Sequence, residues 1–162
     1  MTFVVPFDGS KLAEAALIRA AEFGKVLNER VVAVSIIPQD DFSYANTHGW
    51  VEPGEEFDVE TIVSQLHKQV TKIAPSADFR HETVGRFATS GTIALALRRI
   101  AKNEKASMVF IGSENAGRLV SSLTSVGSMV SADQLYDVVI VRTREPSKVE
   151  RHREKSNFYQ VD

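Results

Sequence analysis

The sequence predicts an α/β domain built on a mostly parallel β-sheet. Short runs that are apolar throughout are typical of strands buried on both faces of such a sheet, and they alternate with runs whose apolar residues recur every three or four positions, as in helices. The 162 residues suffice for one domain with a core, and 43% hydrophobic with 25% charged residues is a globular composition. Strands separated by helices favour right-handed βαβ crossovers and therefore parallel strands.

The first part of the chain reads as strand, helix and strand. Thr2–Phe7 is β-branched and apolar, and Asp8-Gly9-Ser10 then interrupts it, with Ser10 predicted to cap the following helix. That helix carries one apolar stripe over Leu12–Leu27. Arg30–Ile37 is the second predicted strand, and Pro38 closes it.

The rest of the chain repeats the alternation after a long acidic segment, Gln39–Glu56, which is predicted to be a surface loop or a functional one. The remaining predicted elements are, in order, a helix over Phe57–Ile73, an edge strand over Asp78–Val84, a helix opening near Ser90 or Thr92, a strand over Ser107–Ile111, a short helix over Gly127–Leu135 and a strand over Asp137–Arg142.

Composition excludes several classes of function. The net charge of -2 provides no basic field for nucleic acid or an anionic membrane. The absence of cysteine removes disulfides, thiolate catalysis and cysteine-based zinc sites. The amino terminus lacks the basic region of a signal peptide, and no apolar run is long enough to cross a membrane. We therefore expect a soluble, cytoplasmic protein that contacts neither nucleic acid nor membrane.

Motifs for catalysis are missing as well. The sequence contains no G-x-x-x-x-G-K-[ST] phosphate loop and no G-x-S-x-G nucleophile elbow. Its four histidines have no metal-ligand spacing. We therefore predict no catalytic residue and no metal ligand.

The most distinctive stretch is Ile111–Ser128, which has three glycines and six hydroxyl side chains directly after a strand. A glycine-rich turn that opens onto a helix presents backbone N–H donors to a phosphate, although such turns also serve as plain connectors. In an open α/β sheet, ligands bind at the carboxyl ends of the strands where strand order reverses. Asp8 would lie at the same edge, either as an acceptor for a ligand or as a local cap of its turn.

These residues carry a resemblance to a known family. The segment VVPFDGSKLAEAAL, the Val84-Gly85 pair and the pattern IGS…G-x9-G-S are together similar to the universal stress protein family. The similarity covers Thr2–Arg142, so that residues 1–142 are the predicted domain and residues 143–162 a charged tail. It implies a Rossmann-like five-stranded parallel sheet in the order 3-2-1-4-5 with helices on both faces, a homodimer, and, in one branch of the family, bound ATP or AMP.

The resemblance also implies a nucleotide site. Asp8 would contact the adenosine, with Pro6 and Phe7 beside it, and Val34 and Ile111 would sandwich the adenine. Ribose and phosphates would be held by Gly112, Gly117, Gly127 and Ser128. The family pattern has two residues between its first glycines, whereas this sequence has four between Gly112 and Gly117. One of them, Glu114, repels phosphate unless Mg²⁺ lies between them.

Three functions follow as hypotheses. The first is a homodimeric stress protein that binds ATP or AMP, paired through Asp137–Arg142 and acting as a regulator rather than a fast enzyme. The second is an interaction module of the same fold without nucleotide, in which the loop and tail engage a protein partner. The third, slow ATP hydrolysis, lacks an identifiable base. For the tail, the alternatives are a partly disordered terminus or docking on a partner through Phe158-Tyr159.

Overall fold

A computed structural model describes residues 1–39, 58–113 and 136–142 of the chain. Within these residues it forms five strands and three helices: β1 (Thr2–Pro6), α1 (Lys11–Leu27), β2 (Arg30–Pro38), α2 (Val59–Ile73), β3 (Asp78–Val84), α3 (Ser90–Asn103), β4 (Ala106–Gly112) and β5 (Asp137–Val141). The predicted loop from residue 40 onward, the predicted helix over Gly127–Leu135 and the tail lie outside the described residues.

The sheet has five parallel strands in the order β3-β2-β1-β4-β5, which confirms the predicted fold and strand order. The edge position predicted for β3 is also confirmed. The limits of the elements differ from the predictions by one or two residues. The second strand includes Pro38, α2 begins after Asp58 instead of at Phe57, and β4 extends to Gly112. Such shifts are the ordinary uncertainty of helix and strand ends.

Local side-chain chemistry sets the start of each described helix. The Ser10 hydroxyl accepts from the backbone N–H of Ala13, so Ser10 is the predicted cap of α1. Asp58 and Thr89 accept in the same way at the starts of α2 and α3. The helix α3 begins at Ser90, the first of its two predicted starts, and the alternative start at Thr92 is two residues too late.

Helices cover the two faces of the sheet with two apolar clusters. On one face, α1 and α2 pack on side chains such as Phe3 and Phe110, whose ring centroids are 5.4 Å apart. On the other face, α3 packs through Ala94 and Leu97 against residues of β1, β2 and β4. The central strand β1 is buried along its whole length, as its unbroken apolar run predicts. No described helix is long and apolar enough to cross a membrane.

Candidate functional site

The candidate site lies at the carboxyl ends of β1 and β4. These strands are neighbours, yet β1 is followed in sequence by β2 on one side and β4 by β5 on the other side. Strand order therefore reverses between them, which is where open α/β sheets bind ligands. The fold thus brings together, at one edge, the Asp8 turn after β1 and the beginning of the glycine-rich stretch at Gly112.

The chain leaving β1 is held firmly against β2. The backbone N–H of Phe7 donates to the Val34 carbonyl at 2.8 Å, and the buried Ser35 hydroxyl donates to the Phe7 carbonyl at 2.6 Å. Pro6 and Phe7 are both buried. The two residues predicted to lie beside Asp8 therefore belong to the core and fix the position from which the turn departs.

Asp8 lies in a compact turn, half-buried. Its Oδ1 accepts a hydrogen bond from the Ser10 backbone N–H at 3.0 Å, which is the local capping geometry that the sequence offered as one alternative. Between them, Gly9 has a φ of 79°, a left-handed conformation that favours glycine. Contact of the Asp8 carboxylate with adenosine is compatible with this local role and stays a prediction.

Gly112 has a packing requirement of its own. A Cβ atom at this position would lie 2.8 Å from the Leu12 carbonyl carbon and 2.9 Å from its oxygen, so that the end of β4 touches the backbone of the first turn of α1. The close approach explains why glycine stands here without invoking a phosphate. Its predicted role in holding ribose or phosphate stays a prediction.

Val34 and Ile111, the predicted adenine sandwich, are 1% and 0% exposed. Both belong to the apolar cluster under α3, together with Leu97. Contact with an adenine ring would therefore replace part of this packing. The phosphate side of the prediction, Gly117, Gly127 and Ser128, lies outside the described residues, as does Glu114.

One residue that the sequence did not single out reaches the turn from another helix. The side-chain amide of Gln69, on α2, donates to the Gly9 carbonyl at 3.2 Å and to Glu14 Oε1 at 2.6 Å. Because these partners are 60 and 55 residues away in sequence, no local pattern could have revealed the contact.

The described residues contain no group of three or more His, Cys, Asp or Glu side chains that could hold a metal ion. Two of the four histidines are described, and both lie beside the same aromatic ring. The ring of His67 stacks on that of Phe79, with 5.1 Å between the ring centroids. The ring of His81 also stacks with that of Phe79, with 6.1 Å between the ring centroids.

A network of ion pairs around Arg30 lies at the opposite, amino-terminal edge of the sheet. The Arg30 guanidinium bonds Asp78 at 2.6 Å and Glu104 at 2.8 Å, linking the starts of β2 and β3 to the end of α3. These bonds, that to Asp78 foremost, raise the pKa of Arg30 above its usual value, so it stays charged at every physiological pH. Arg30 therefore supports the sheet far from the candidate site.

Comparison with known proteins gives the family. The family model for the universal stress protein family matches residues 1–142. Among solved structures, a protein of this family from Burkholderia pseudomallei has a TM-score of 0.54 at 19% identity, covering 88% of this chain and 96% of that one. A universal stress protein in complex with cAMP has a TM-score of 0.50 at 23% identity, covering 88% and 97%.

A third similar structure, the universal stress protein UspA from Lactobacillus plantarum, has a TM-score of 0.51 at 15% identity and covers 88% of this chain and 97% of that one. At these identities the structures support the fold alone. A comparison with curated protein sequences gave no match. The family model spans the whole predicted domain, from β1 to the end of β5, and this chain therefore belongs to the universal stress protein family.

Proposed function

We propose that this universal stress protein binds an adenine nucleotide, ATP or AMP, at the carboxyl ends of β1 and β4 and acts as a stress-response regulator. The observation that carries the proposal is the convergence of the Asp8 turn and Gly112 at the point where strand order reverses. The similar universal stress protein in complex with cAMP adds support, because cAMP is an adenine nucleotide and that protein has the same fold.

Each part of the proposed site has a chemical task. The Asp8 carboxylate accepts from N–H or O–H groups of the adenosine, and Val34 in the middle of β2 and Ile111 near the end of β4 face the adenine. Backbone donors of the glycine-rich stretch, with Gly117, Gly127 and Ser128, hold the phosphates. Mg²⁺ offsets the charge of Glu114 beside a triphosphate. Binding alone then signals the state of the nucleotide pool, and no catalytic residue is required.

One observation favours a second candidate function, an interaction module without nucleotide. Gly112 is explained by its contact with Leu12, and Val34 and Ile111 are covered by the core. These residues would have the same identities in a protein that binds no ligand. The two candidates therefore differ in the chemistry of Asp8 and of the residues after Gly112.

Thermal unfolding with and without nucleotide separates the two candidates. ATP with Mg²⁺, AMP or cAMP at about 100 times its Kd should add roughly 2.7 kcal/mol to the free energy of unfolding. In a domain of this size that is a rise in midpoint of about 5 to 10 °C. The variant with Gly127→Val and Ser128→Ala should lose the rise given by ATP and AMP, because it alters the proposed phosphate end.

Asp8 can be tested without destroying its turn. Asp8→Asn keeps an oxygen that accepts from Ser10 but removes the charge, so it should fold as the wild type does and show a smaller rise with nucleotide. Asp137→Asn, which neutralises an exposed carboxylate at the opposite end of the sheet, is the matched control and should keep the full rise. No shift for the wild type at millimolar nucleotide would reject nucleotide binding in favour of the interaction module.

A further inference from the structure

The amide of Gln69 ties α2 to the turn between β1 and α1. Its two partners, the Gly9 carbonyl and the Glu14 carboxylate, can only accept hydrogen bonds, so the nitrogen of the amide must be the atom that faces them. One amide nitrogen carries two hydrogens, and each of them has an acceptor here. The half-buried Gln69 is therefore a two-point contact between elements distant in sequence.

The contact with Gly9 reaches Asp8 through one peptide group. The carbonyl of Gly9 and the N–H of Ser10 belong to the same planar unit, so fixing the direction of one fixes the direction of the other. That N–H donates to Asp8 Oδ1 at 3.0 Å. Gln69, the peptide between Gly9 and Ser10, and the Asp8 carboxylate thus form a continuous chain of hydrogen bonds, in which each bond polarises the next.

The conformation of Gly9 makes this support necessary. Its φ of 79° lies in the left-handed region, and glycine rotates among several backbone conformations at little cost. Without a partner for its carbonyl, the peptide after Gly9 would sample other orientations, and the hydrogen bond from the Ser10 N–H to the Asp8 carboxylate would weaken.

Glu14 holds the amide of Gln69 from the other side. It lies in the first turn of α1, where a carboxylate is favoured by the helix dipole, and its Oε2 is 3.6 Å from Lys11 Nζ. Its Oε1 accepts the second amide hydrogen of Gln69 at 2.6 Å. The orientation of the Gln69 side chain is therefore fixed by a residue of α1, the helix that follows the turn.

We infer that Gln69 is a positioning residue of the nucleotide site: it orients the peptide between Gly9 and Ser10, and through it the carboxylate of Asp8, toward the bound adenosine. The inference rests on the proposed function. It also places a determinant of affinity on α2, outside the segments that the family motif covers.

The test compares Gln69→Met, which keeps the size of the side chain but removes its donors, with Gln65→Met, one turn earlier in α2 and exposed. Two quantities are measured below the unfolding temperature of every variant. The first is the Kd for ATP with Mg²⁺ and for AMP. The second is the hydrogen-exchange rate of the Ser10 amide without nucleotide, followed by NMR.

We expect Gln69→Met to raise the Kd by about threefold to tenfold, the value of one neutral hydrogen bond, and to speed exchange at Ser10. Gln65→Met should change neither quantity. Gln69→Lys, whose ammonium can donate to both oxygens, should restore much of the affinity. If Gln69→Met does not fold, Gln69→Ala, which also removes both donors and favours a helix, replaces it.

Two results would overturn the inference while leaving the proposed function intact. One is a wild-type Kd in Gln69→Met. The other is a raised Kd with unchanged exchange at Ser10, since the effect would then not pass through this peptide. A wild-type protein that binds no nucleotide is a different failure: it removes the proposed function, and the positioning role falls with it.

Discussion

At Gly112, the absence of a Cβ atom allows the close packing of β4 against α1 at the candidate site. It ends the fourth strand at the sheet edge where a ligand is proposed, and it touches the backbone of Leu12. Backbone cannot move aside as a flexible side chain can. At this position, the need for glycine therefore comes first from packing between β4 and α1.

Gly112→Ala should lower the free energy of unfolding by about 1 to 3 kcal/mol, because its Cβ would lie within 3 Å of Leu12 backbone atoms. The matched control is Gly91→Ala, in the first turn of α3, where the nearest atom is the Thr89 hydroxyl oxygen at 3.6 Å. That change should raise stability by up to about 1 kcal/mol, since alanine favours a helix. Urea unfolding of both variants measures the difference, and equal stabilities would contradict the packing argument.

Tyr136, just before β5, contributes a pH dependence. Partial burial raises the pKa of its phenol above 10.0, and the positive charge of Arg98 opposes the change. The folded state therefore keeps the phenol neutral at a pH where the unfolded chain has begun to lose the proton. Its contribution to stability is present below about pH 10 and is lost as the pH rises through the folded pKa.

Tyr136→Phe should remove this alkaline loss. The stability of the wild type relative to the variant, measured by urea unfolding, should be constant from about pH 7 to pH 9 and should fall as the pH rises above about 10. Because the variant retains Tyr44 and Tyr159, their titration cancels in the difference. Parallel pH profiles for the two proteins would show that burial of Tyr136 does not perturb its phenol.

At the scale of elements, the turn between α3 and β4 is strained at one residue. Lys105 has a φ of 52°, a left-handed conformation unusual for a side chain with a Cβ atom. Glu104 immediately before it is held by Arg30, and the Lys105 N–H donates to the Lys102 carbonyl at 3.0 Å. These contacts hold the turn, so that β4 begins next to β1.

Lys105→Gly should therefore raise the free energy of unfolding by about 0.5 to 1 kcal/mol, because glycine removes the left-handed strain at a smaller entropic cost. The same substitution at Lys102, in the last turn of α3, should lower it by about 1 kcal/mol, because glycine is unfavourable within a helix. Thermal and urea unfolding of both variants measure the two signs. A loss of stability at Lys105 would contradict the strain.

At the scale of the whole molecule, the two edges of the sheet differ. The β3 edge carries exposed Arg80 and His81 and an ion pair between Glu82 and Arg99, and charged edges resist pairing with another strand. The β5 edge carries Val138, Val139 and Ile140 after one aspartate, and Ile140 is 37% exposed. We propose that a homodimer forms by pairing of the last strand, which this asymmetry favours.

Ile140→Lys should weaken the dimer by placing a charge on the β5 edge, and analytical ultracentrifugation should then show a shift to monomer at micromolar protein. Thr83→Lys places the same charge on the exposed opposite edge strand and should leave the distribution unchanged. If both variants sediment like the wild type, pairing through the last strand is rejected.

Much of this fold can be predicted from local sequence patterns. The unbroken apolar run of β1 indicated a strand covered on both faces, and Ser10 was recognised as a cap because the N-cap position favours a hydroxyl. Asp8 was predicted to lie in the turn after β1, where the structure places it half-buried, and one of its two predicted roles, the local cap of that turn, is observed.

Other features depend on contacts between distant residues. An apolar strand does not indicate which face each side chain occupies, so the coverage of Val34 and Ile111 by α3 followed only from the fold. In the sequence, Gln69 looks like any polar residue on an exposed helix face. Its role was not predictable, because its partners, Gly9 and Glu14, are 60 and 55 residues away.

Fold class and the Ser10 cap of α1, then, came from chemistry that acts within a few residues, where side-chain type and spacing are sufficient. The strand order came from the family resemblance and was confirmed by the structure. The orientation of Asp8 by Gln69 and the contact between Gly112 and Leu12 came from packing, because they exist only when α1, α2 and β4 are brought against one another.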